Sequence, residues 1–391
     1  MVIVDGAADL PLPGRGGRTC LELAHTPNLD RLAREGVLGE ARTVPHGMEP
    51  SSACACMSIF GYDPKEYYRG RSGIEAISLG FPIADGEAGF RCNLVCVGEG
   101  RMEDYSAGHI TDGEAGVLVE ALQENLGNEY VRFFQGVGYR HLCKIKGRED
   151  TLLAECTPPH DIPGEEIGRF LPRGRGSDFL RDLMSRSVEV LSGHPVNRAR
   201  EGRGEKPANM IWLFWGSGVM PQLPSFEEKY GVRAALTSGV DLLRGLGKMS
   251  GVESLAIPGV TAGPDNDYRA QARGALEALK KYDLVFIHVE APDEAGHAGQ
   301  AEDKVEAIES IDREVVGTVL SGVRDGLRLL VMPDHPTPVQ VRTHTADPVP
   351  FVLWGSGFSG NGGGAFSERE ARKTGTFVER GDTLMESLIR G

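Results

Sequence analysis

No apolar run in this chain approaches the roughly 20 residues a helix needs to cross a bilayer. The first residues, MVIVDGAADLPLPG, carry no basic segment and no small-residue cleavage site. No secretory leader is therefore expected, and the cytoplasm is the expected setting. Positive charge is also scarce. The 391 residues hold 42 Lys and Arg against 56 Asp and Glu, a net charge of −14, and the isoelectric point is near 5.3. Nucleic-acid binding relies on Lys and Arg at phosphates, so nucleic acid is not expected as a main partner, and neither is a membrane. The acidic balance suits a protein that gathers carboxylates around cations.

Several catalytic signatures are missing. There is no GxxxxGK phosphate loop, since GLGK at 245–248 lacks the earlier glycine, and there is no GxSxG elbow. Both absences weigh against an ordinary nucleotide kinase and a serine esterase. The seven cysteines, at 20, 54, 56, 92, 96, 143 and 156, include no CxxC pair and nothing at zinc-ribbon spacing. Free and mostly buried thiols are expected. No internal repeat is visible, and nothing specifies an oligomer.

What is present reads as α/β. Apolar strand signals stand at VIV (2–4), MIWLFW (210–215), LVFIHV (284–289), LRLLVM (327–332) and VPFVLW (349–354). Continuous runs of this kind suit strands covered on both faces, as in parallel sheets. Helical patterns lie between them. TPNLDRLAREG (26–36) has Thr at the cap, Pro at the first position and Gly at the end. Residues 302–320 place Val305, Ile308, Ile311, Val315, Val316 and Val319 on one face. The middle differs, with shorter apolar runs and a basic stretch, NRAREGRGEKPAN (197–209), that reads as a solvated linker. Residues 85–204 are therefore expected as a domain inserted into a core of 1–84 and 205–391. The stretch GSGFSGNGGG (355–364) is expected as a flexible loop.

Three of the strand signals run into ligand-type residues: Asp5 after the first, Asp293 and His297 after the third, Asp334 and His335 after the fourth. Sites in open α/β sheets form outside the carboxyl ends of strands, so one sheet edge would collect them, with His344 shortly after. Asp293 and His297 are four apart, and one helical turn would put both on one side. Mixed carboxylate and imidazole ligands suit Mn²⁺ or Zn²⁺ better than Ca²⁺. Two such ions about 4 Å apart clamp an in-line phosphoryl transfer. Each motif alone has a plain reading: Asp5 in a turn, Asp293 near a helix cap. His288, inside its strand, reads as a core histidine rather than a ligand. The joint placement favours a two-metal site. Such sites often work with a side-chain nucleophile. PSSACACM (50–57) offers Ser51, Ser52, Cys54 and Cys56. The serines sit near a helix start, where free N–H groups favour a phosphate.

These residues resemble the archaeal-type, cofactor-independent phosphoglycerate mutases of the alkaline phosphatase superfamily. The carrying motifs are VDGAADLP (4–11), TPNLDRLAREG (26–36), PSSACACMSIFGYDPKEYYRGRSGIEA (50–76), FRCN (90–93), GYRH (138–141), PPHDIPG (158–164), APDEAGHAG (291–299), MPDHPTP (332–338) and THTADPVP (343–350). The resemblance implies a mostly parallel sheet core flanked by helices, with an inserted smaller α/β cap domain that binds substrate. It implies Ser52 as the nucleophile that becomes phosphoserine. Asp5, Ser52, Asp334 and His335 would hold one metal, and Asp293, His297 and His344 the other. Arg71, Arg91, Asn93 and Arg140 fall where the family contacts substrate. The implied reaction interconverts 3-phosphoglycerate and 2-phosphoglycerate with two divalent ions and without 2,3-bisphosphoglycerate. Mn²⁺ is expected, with Zn²⁺, Co²⁺ or Mg²⁺ as alternatives. The sequence departs from the family in two places. Ala53 stands where the family has Asp, and His109 where it has Arg. A phosphomonoesterase, or a phosphotransferase on another small hydroxy or amino acid (homoserine kinase-like), is the alternative. The first strand is short, and more chain ahead of Met1 is expected in the native protein.

Overall fold

Three residues, β1 (Val2–Val4), form the strand about which the larger part of the molecule is built. The computed structural model describes residues 1–263, 265–322 and 326–391. The chain divides into two units, Met1–Tyr68 with Gln222–Gly391, and Arg69–Pro221 between them in sequence.

The first unit holds an eight-stranded sheet. Besides β1 it contains β2 (Val37–Ala41), β8 (Ala234–Thr237), β9 (Glu253–Ser254), β10 (Leu284–Val289), β11 (Arg328–Met332), β12 (Val349–Gly355) and β13 (Phe377–Val378). Their order is β13-β2-β12-β11-β1-β10-β8-β9. β1 pairs in parallel with both β10 and β11, and β10 with β8. Every residue of β1 and β10 is buried, as an unbroken apolar run requires when helices cover both faces. Alternation sorts the β10 side chains. Val285, Ile287 and Val289 join Val2 and Val4 against the helix Pro27–Glu35 and the run Ala301–Gly322. Phe286 faces the other way and stacks on Phe60, with centroids 4.2 Å apart. β12 departs from the parallel expectation and runs antiparallel to both β11 and β2. An apolar run reports burial on two faces, not strand direction. The glycine-rich loop after β12 is pinned by Asn361, whose side chain accepts from Leu38 N and donates to Leu38 O.

The second unit contains β3 (Glu87–Gly98), β4 (Arg101–Asp104), β5 (Val131–Val137), β6 (Arg140–Lys146) and β7 (Met210–Ser217), all pairing antiparallel. Helices Asp112–Leu126 and Ser177–Leu191 pack Leu118, Leu122, Leu180 and Met184 into its core. This unit is wider than residues 85–204. The strand at 210–215, assigned from sequence to the core sheet, is β7, and it pairs with β3 through Leu94 opposite Ile211. The helix Arg71–Leu79 belongs here as well, because Ser72 Oγ donates to Trp215 O and accepts from Arg91 N. The stretch at 197–209 is not a solvated linker. It begins in the helix Pro195–Gly202, where Asn197 bonds Leu191 O and both backbone groups of Ala208. Arg200 is 2% exposed, paired with Glu114 and donating to Ala107 O. No helix among the described residues is long and apolar enough to cross a membrane.

A buried polar cluster braces the first unit beside its strand ends. Lys304 is fully buried and donates to Asp9 Oδ2 (3.0 Å), Ala8 O (3.1 Å) and Thr337 O (2.8 Å). Glu368 accepts from Asp9 N and Thr19 Oγ1. Burial pushes the Glu368 carboxyl from 4.5 up to about 7, against the lowering effect of those bonds. A raised carboxyl pKa means the folded state holds a proton that the unfolded chain has released. The associated stability is complete below pH 4.5 and is lost as pH rises through about 7. The loss is roughly 3 kcal/mol. Glu368→Gln mimics the protonated form at every pH. Its stability relative to wild type should rise between pH 5.5 and 8 in urea unfolding. A difference that stays constant with pH would contradict this.

Candidate active site

β1, β10 and β11 are parallel neighbours, so their carboxyl ends share one edge. Asp5 leaves β1 there. Asp293 and His297 ride the helix Ala291–Ala298 after β10, and Asp334 and His335 follow β11. Gly6 brings the first loop close: at φ 61, a Cβ there would lie 2.5 Å from Asp293 Oδ1. Ser52 arrives from the helix Ser52–Ile59, capped by Ser51, whose Oγ accepts from Cys54 N at 3.3 Å. All eight residues of that helix are buried, and its Ala and Cys residues are small enough to fit there.

The expected ligands meet. His335 Nε2 lies 3.1 Å from Ser52 Oγ, 3.2 Å from Asp334 Oδ2 and 3.6 Å from Asp5 Oδ1. His297 Nε2 is 3.3 Å from Asp293 Oδ2, His344 Nε2 is 3.4 Å from Asp293 Oδ1, and the two ring nitrogens stand 2.9 Å apart. The groups are continuous, for the His335 and His344 rings are 4.0 Å apart.

The charge balance marks this as a cation site. Burial first, then the neighbouring carboxylates Asp334, Glu290 and Asp293, raise the Asp5 carboxyl well above its ordinary range. Asp5 Oδ1 is buried and has no hydrogen-bond partner among the described residues. Burial opposes ionisation of Asp293 too, but His344 and His297 outweigh it and hold that carboxyl low. Burial lowers His297, yet Asp293 brings it up to about 9. Burial keeps His335 neutral, at about 4. Ligand atoms of Asp5, Asp334 and His335 lie within 4.8 Å of one another, as do those of Asp293, His335 and His344. An orphaned carboxylate oxygen among converging imidazoles fits divalent ions. The cysteines do not compete for this role. Burial pushes Cys54 up to about 12 and Cys56 well above its ordinary value, so both are protonated, and Cys56 Sγ donates to Asp334 Oδ2 at 3.5 Å.

The four expected substrate residues gather within the second unit. Arg71 Nε is 2.9 Å from Glu75 Oε1, and Arg91 pairs with Glu75 Oε2 while donating to Asn93 Oδ1 at 3.1 Å. Arg140 sits opposite Asn93 in the β3–β6 ladder, and its Nε is buried with no partner among the described residues. Burial opposes Glu75 ionising, but the two guanidiniums hold it at about 2. Arg71 also lies over the Trp215 ring, 4.3 Å from its centroid. Trp215 has φ 50, unusual for a bulky residue.

A family model described as 2,3-bisphosphoglycerate-independent phosphoglycerate mutase matches residues 33–197. The protein of that name from Methanothrix thermoacetophila is 46% identical, covering 100% of this chain and 99% of its own. The chain belongs to the 2,3-bisphosphoglycerate-independent phosphoglycerate mutase family. A solved Pyrococcus horikoshii protein superposes with TM-score 0.81 at 29% identity, over 100% of this chain and 95% of that one. A cofactor-independent phosphoglycerate mutase from Thermoplasma acidophilum gives 0.62 at 26% identity, over 100% and 98%.

Three residues of this family member escaped the sequence reading. His288 is a satisfied buried histidine, as expected, but its partner is an expected ligand: Nε2 lies 2.7 Å from Asp5 Oδ2. Its Nδ1 meets Ser238 Oγ at 3.0 Å, and that oxygen already accepts from Val240 N. Against an ionised Asp5, which can only accept, Nε2–H donates to the carboxylate and Nδ1 accepts the Ser238 hydroxyl proton. A lone histidine one strand from Asp5, at its carboxyl end, was the available signal. Lys304 and Thr337 gave none, since the side chains they meet, Asp9 and Asp293, lie far away along the chain. Of the two departures, Ala53 is fully buried behind Ser52, and His109 is exposed on a turn at φ 51.

Proposed function

We propose that the chain is a metal-dependent mutase that interconverts 3-phosphoglycerate and 2-phosphoglycerate through phosphoserine at Ser52, in the cytoplasm, as a step of glycolysis and gluconeogenesis. The observation that carries the reading is Ser52 Oγ at a buried helix start, 3.1 Å from His335 Nε2, inside a cluster of carboxylates and imidazoles. Asp5, Ser52, Asp334 and His335 would hold one divalent ion and Asp293, His297 and His344 the other, with Mn²⁺ the expected metal. Bound there, the ions would polarise phosphoryl oxygens and lower the serine pKa.

Ser52 Oγ gives up its proton and forms a bond to phosphorus as the bond from phosphorus to the glycerate oxygen breaks, and that oxygen takes up a proton. The helix N-terminus favours the phosphoryl charge. The other glycerate hydroxyl then loses its proton and attacks phosphoserine, and the released Ser52 oxygen regains a proton. Arg71, Arg91 and Arg140 suit a carboxylate or phosphate, which guanidinium grips with two parallel bonds. Glu75 fixes two of them in advance. A glycerate that stays bound between the half-reactions gives a mutase, whereas admitted water gives a phosphatase.

The test supplies 3-phosphoglycerate and Mn²⁺, with 2-phosphoglycerate read through enolase and inorganic phosphate read separately. Formation of 2-phosphoglycerate without phosphate release, abolished by EDTA, is expected. Phosphate release without 2-phosphoglycerate would replace the mutase with a phosphomonoesterase.

A further inference from the structure

Thr337 stands two residues beyond His335, fully buried, with its backbone fixed from two sides. Its N–H donates to Ala8 O at 3.2 Å and its carbonyl accepts from Lys304 Nζ at 2.8 Å. The helix that carries Asp293 and His297 rests on the same carbonyl. A Cβ on Gly296 would lie 2.4 Å from Thr337 O, so only glycine permits this approach. The hydroxyl of Thr337 is thereby held where it reaches both ligand groups. It lies 2.5 Å from Asp293 Oδ1 and 3.2 Å from His335 Nδ1.

A hydroxyl has one proton to give and lone pairs to accept with. An ionised carboxylate can only accept, so the Thr337 proton goes to Asp293 Oδ1. The contact with His335 then requires Nδ1 to carry the imidazole proton and donate it to Thr337 Oγ1. With Nδ1 protonated, a neutral His335 presents a bare lone pair at Nε2. That nitrogen faces Ser52 Oγ, Asp334 Oδ2 and Asp5 Oδ1. One threonine hydroxyl therefore sets the tautomer of a ligand in one group and the carboxylate orientation of a ligand in the other.

We propose that Thr337 is a positioning residue that holds His335 as the Nδ1–H tautomer and couples the two cation groups. Its metal consequence rests on the two-ion reading above. Outer partners of metal ligands fix tautomer and orientation, and their loss typically weakens binding about 10- to 100-fold. Thr337→Val keeps the shape and removes the hydroxyl, while Thr337→Ser restores it.

Two measurements on the full-length protein test this. The first uses metal-free protein labelled with ¹⁵N-histidine, with His335 assigned by loss of its signal in His335→Gln. Long-range ¹H–¹⁵N spectra of wild type should show the Nδ1–H pattern for His335. The pattern should shift in Thr337→Val and return in Thr337→Ser. A wild-type His335 already protonated at Nε2 overturns the proposal, whatever the variants do and whether or not they fold. The second is calorimetric titration with Mn²⁺. Wild type should bind two ions, and Thr337→Val should weaken both about 10- to 100-fold, with rescue by Thr337→Ser. Two ions bound by Thr337→Val with unchanged affinity overturn the coupling and leave the mutase reading standing. A wild type that binds no Mn²⁺ overturns both the two-ion reading and the coupling, and the spectra still decide the tautomer.

Discussion

Ser52→Ala should lower phosphoglycerate interconversion by at least about 10⁴-fold, while Ser51→Ala should leave most of it. The two serines are adjacent, and the backbone gives them different tasks. Ser51 is the helix cap, extended at φ −159, with its Oγ committed to Cys54 N. Losing it should cost about 1 kcal/mol of stability, as the loss of a cap does. Ser52 is the first helical residue, 6% exposed, and its Oγ turns into the cluster toward His335 Nε2. Alanine at 52 keeps the helix and the packing but removes the oxygen that would carry the phosphoryl group. Neither cysteine of the helix can replace it, because burial keeps Cys54 and Cys56 protonated. Rapid acid quench with ³²P-labelled 3-phosphoglycerate should trap label on the wild type and none on Ser52→Ala. Full turnover by Ser52→Ala would sink the covalent route, and label that appears only when Ser51 is intact would move the nucleophile by one residue.

The parts of this site that could be read from sequence are those governed by the backbone. Asp5, Asp293 and Asp334 each follow an apolar run, and parallel pairing carries the three run ends to one edge. Spacing by four put Asp293 and His297 on one side of a helix, as found. Chemistry that depends on a partner distant in sequence stayed hidden. Arg200 looked solvated because Glu114, its counter-charge, is far away along the chain. β7 looked like a core strand because burial on both faces is the same in either unit. Thr337 gave no signal because its hydroxyl partners lie on the strand end behind it and on another helix. Residue type and spacing find candidate ligands, but the groups that orient them are chosen by packing.

Asp5→Asn should abolish activity, by at least about 10³-fold, and yet make the metal-free protein more stable. Asp5 is fully buried and its Oδ2 takes the His288 proton, while Oδ1 has no partner among the described residues. Burial, with Asp334, Glu290 and Asp293 nearby, raises its pKa well above 3.8. The folded state therefore binds a proton more tightly than the unfolded chain does. Stability linked to this group is complete at low pH and is lost as pH rises through the folded pKa. Near neutral pH, where the unfolded chain is ionised, a metal-free fold must either take up a proton at Asp5 or bury a charge it disfavours, and both cost stability. Asparagine is neutral throughout, still accepts from His288 with its carbonyl, and puts an N–H₂ where Oδ1 stands, 3.6 Å from His335 Nε2. Relief of about 2 kcal/mol is expected without metal, from one buried unsatisfied charged group. With Mn²⁺ at 100 times its dissociation constant the wild type should gain about 2.7 kcal/mol, and the variant much less. Urea unfolding curves of the two proteins should therefore exchange order between EDTA and Mn²⁺. If Asp5→Asn is the less stable protein in EDTA, Asp5 is a structural carboxylate and the strain assigned to its burial does not exist. If both proteins gain equally from Mn²⁺, Asp5 is not a ligand.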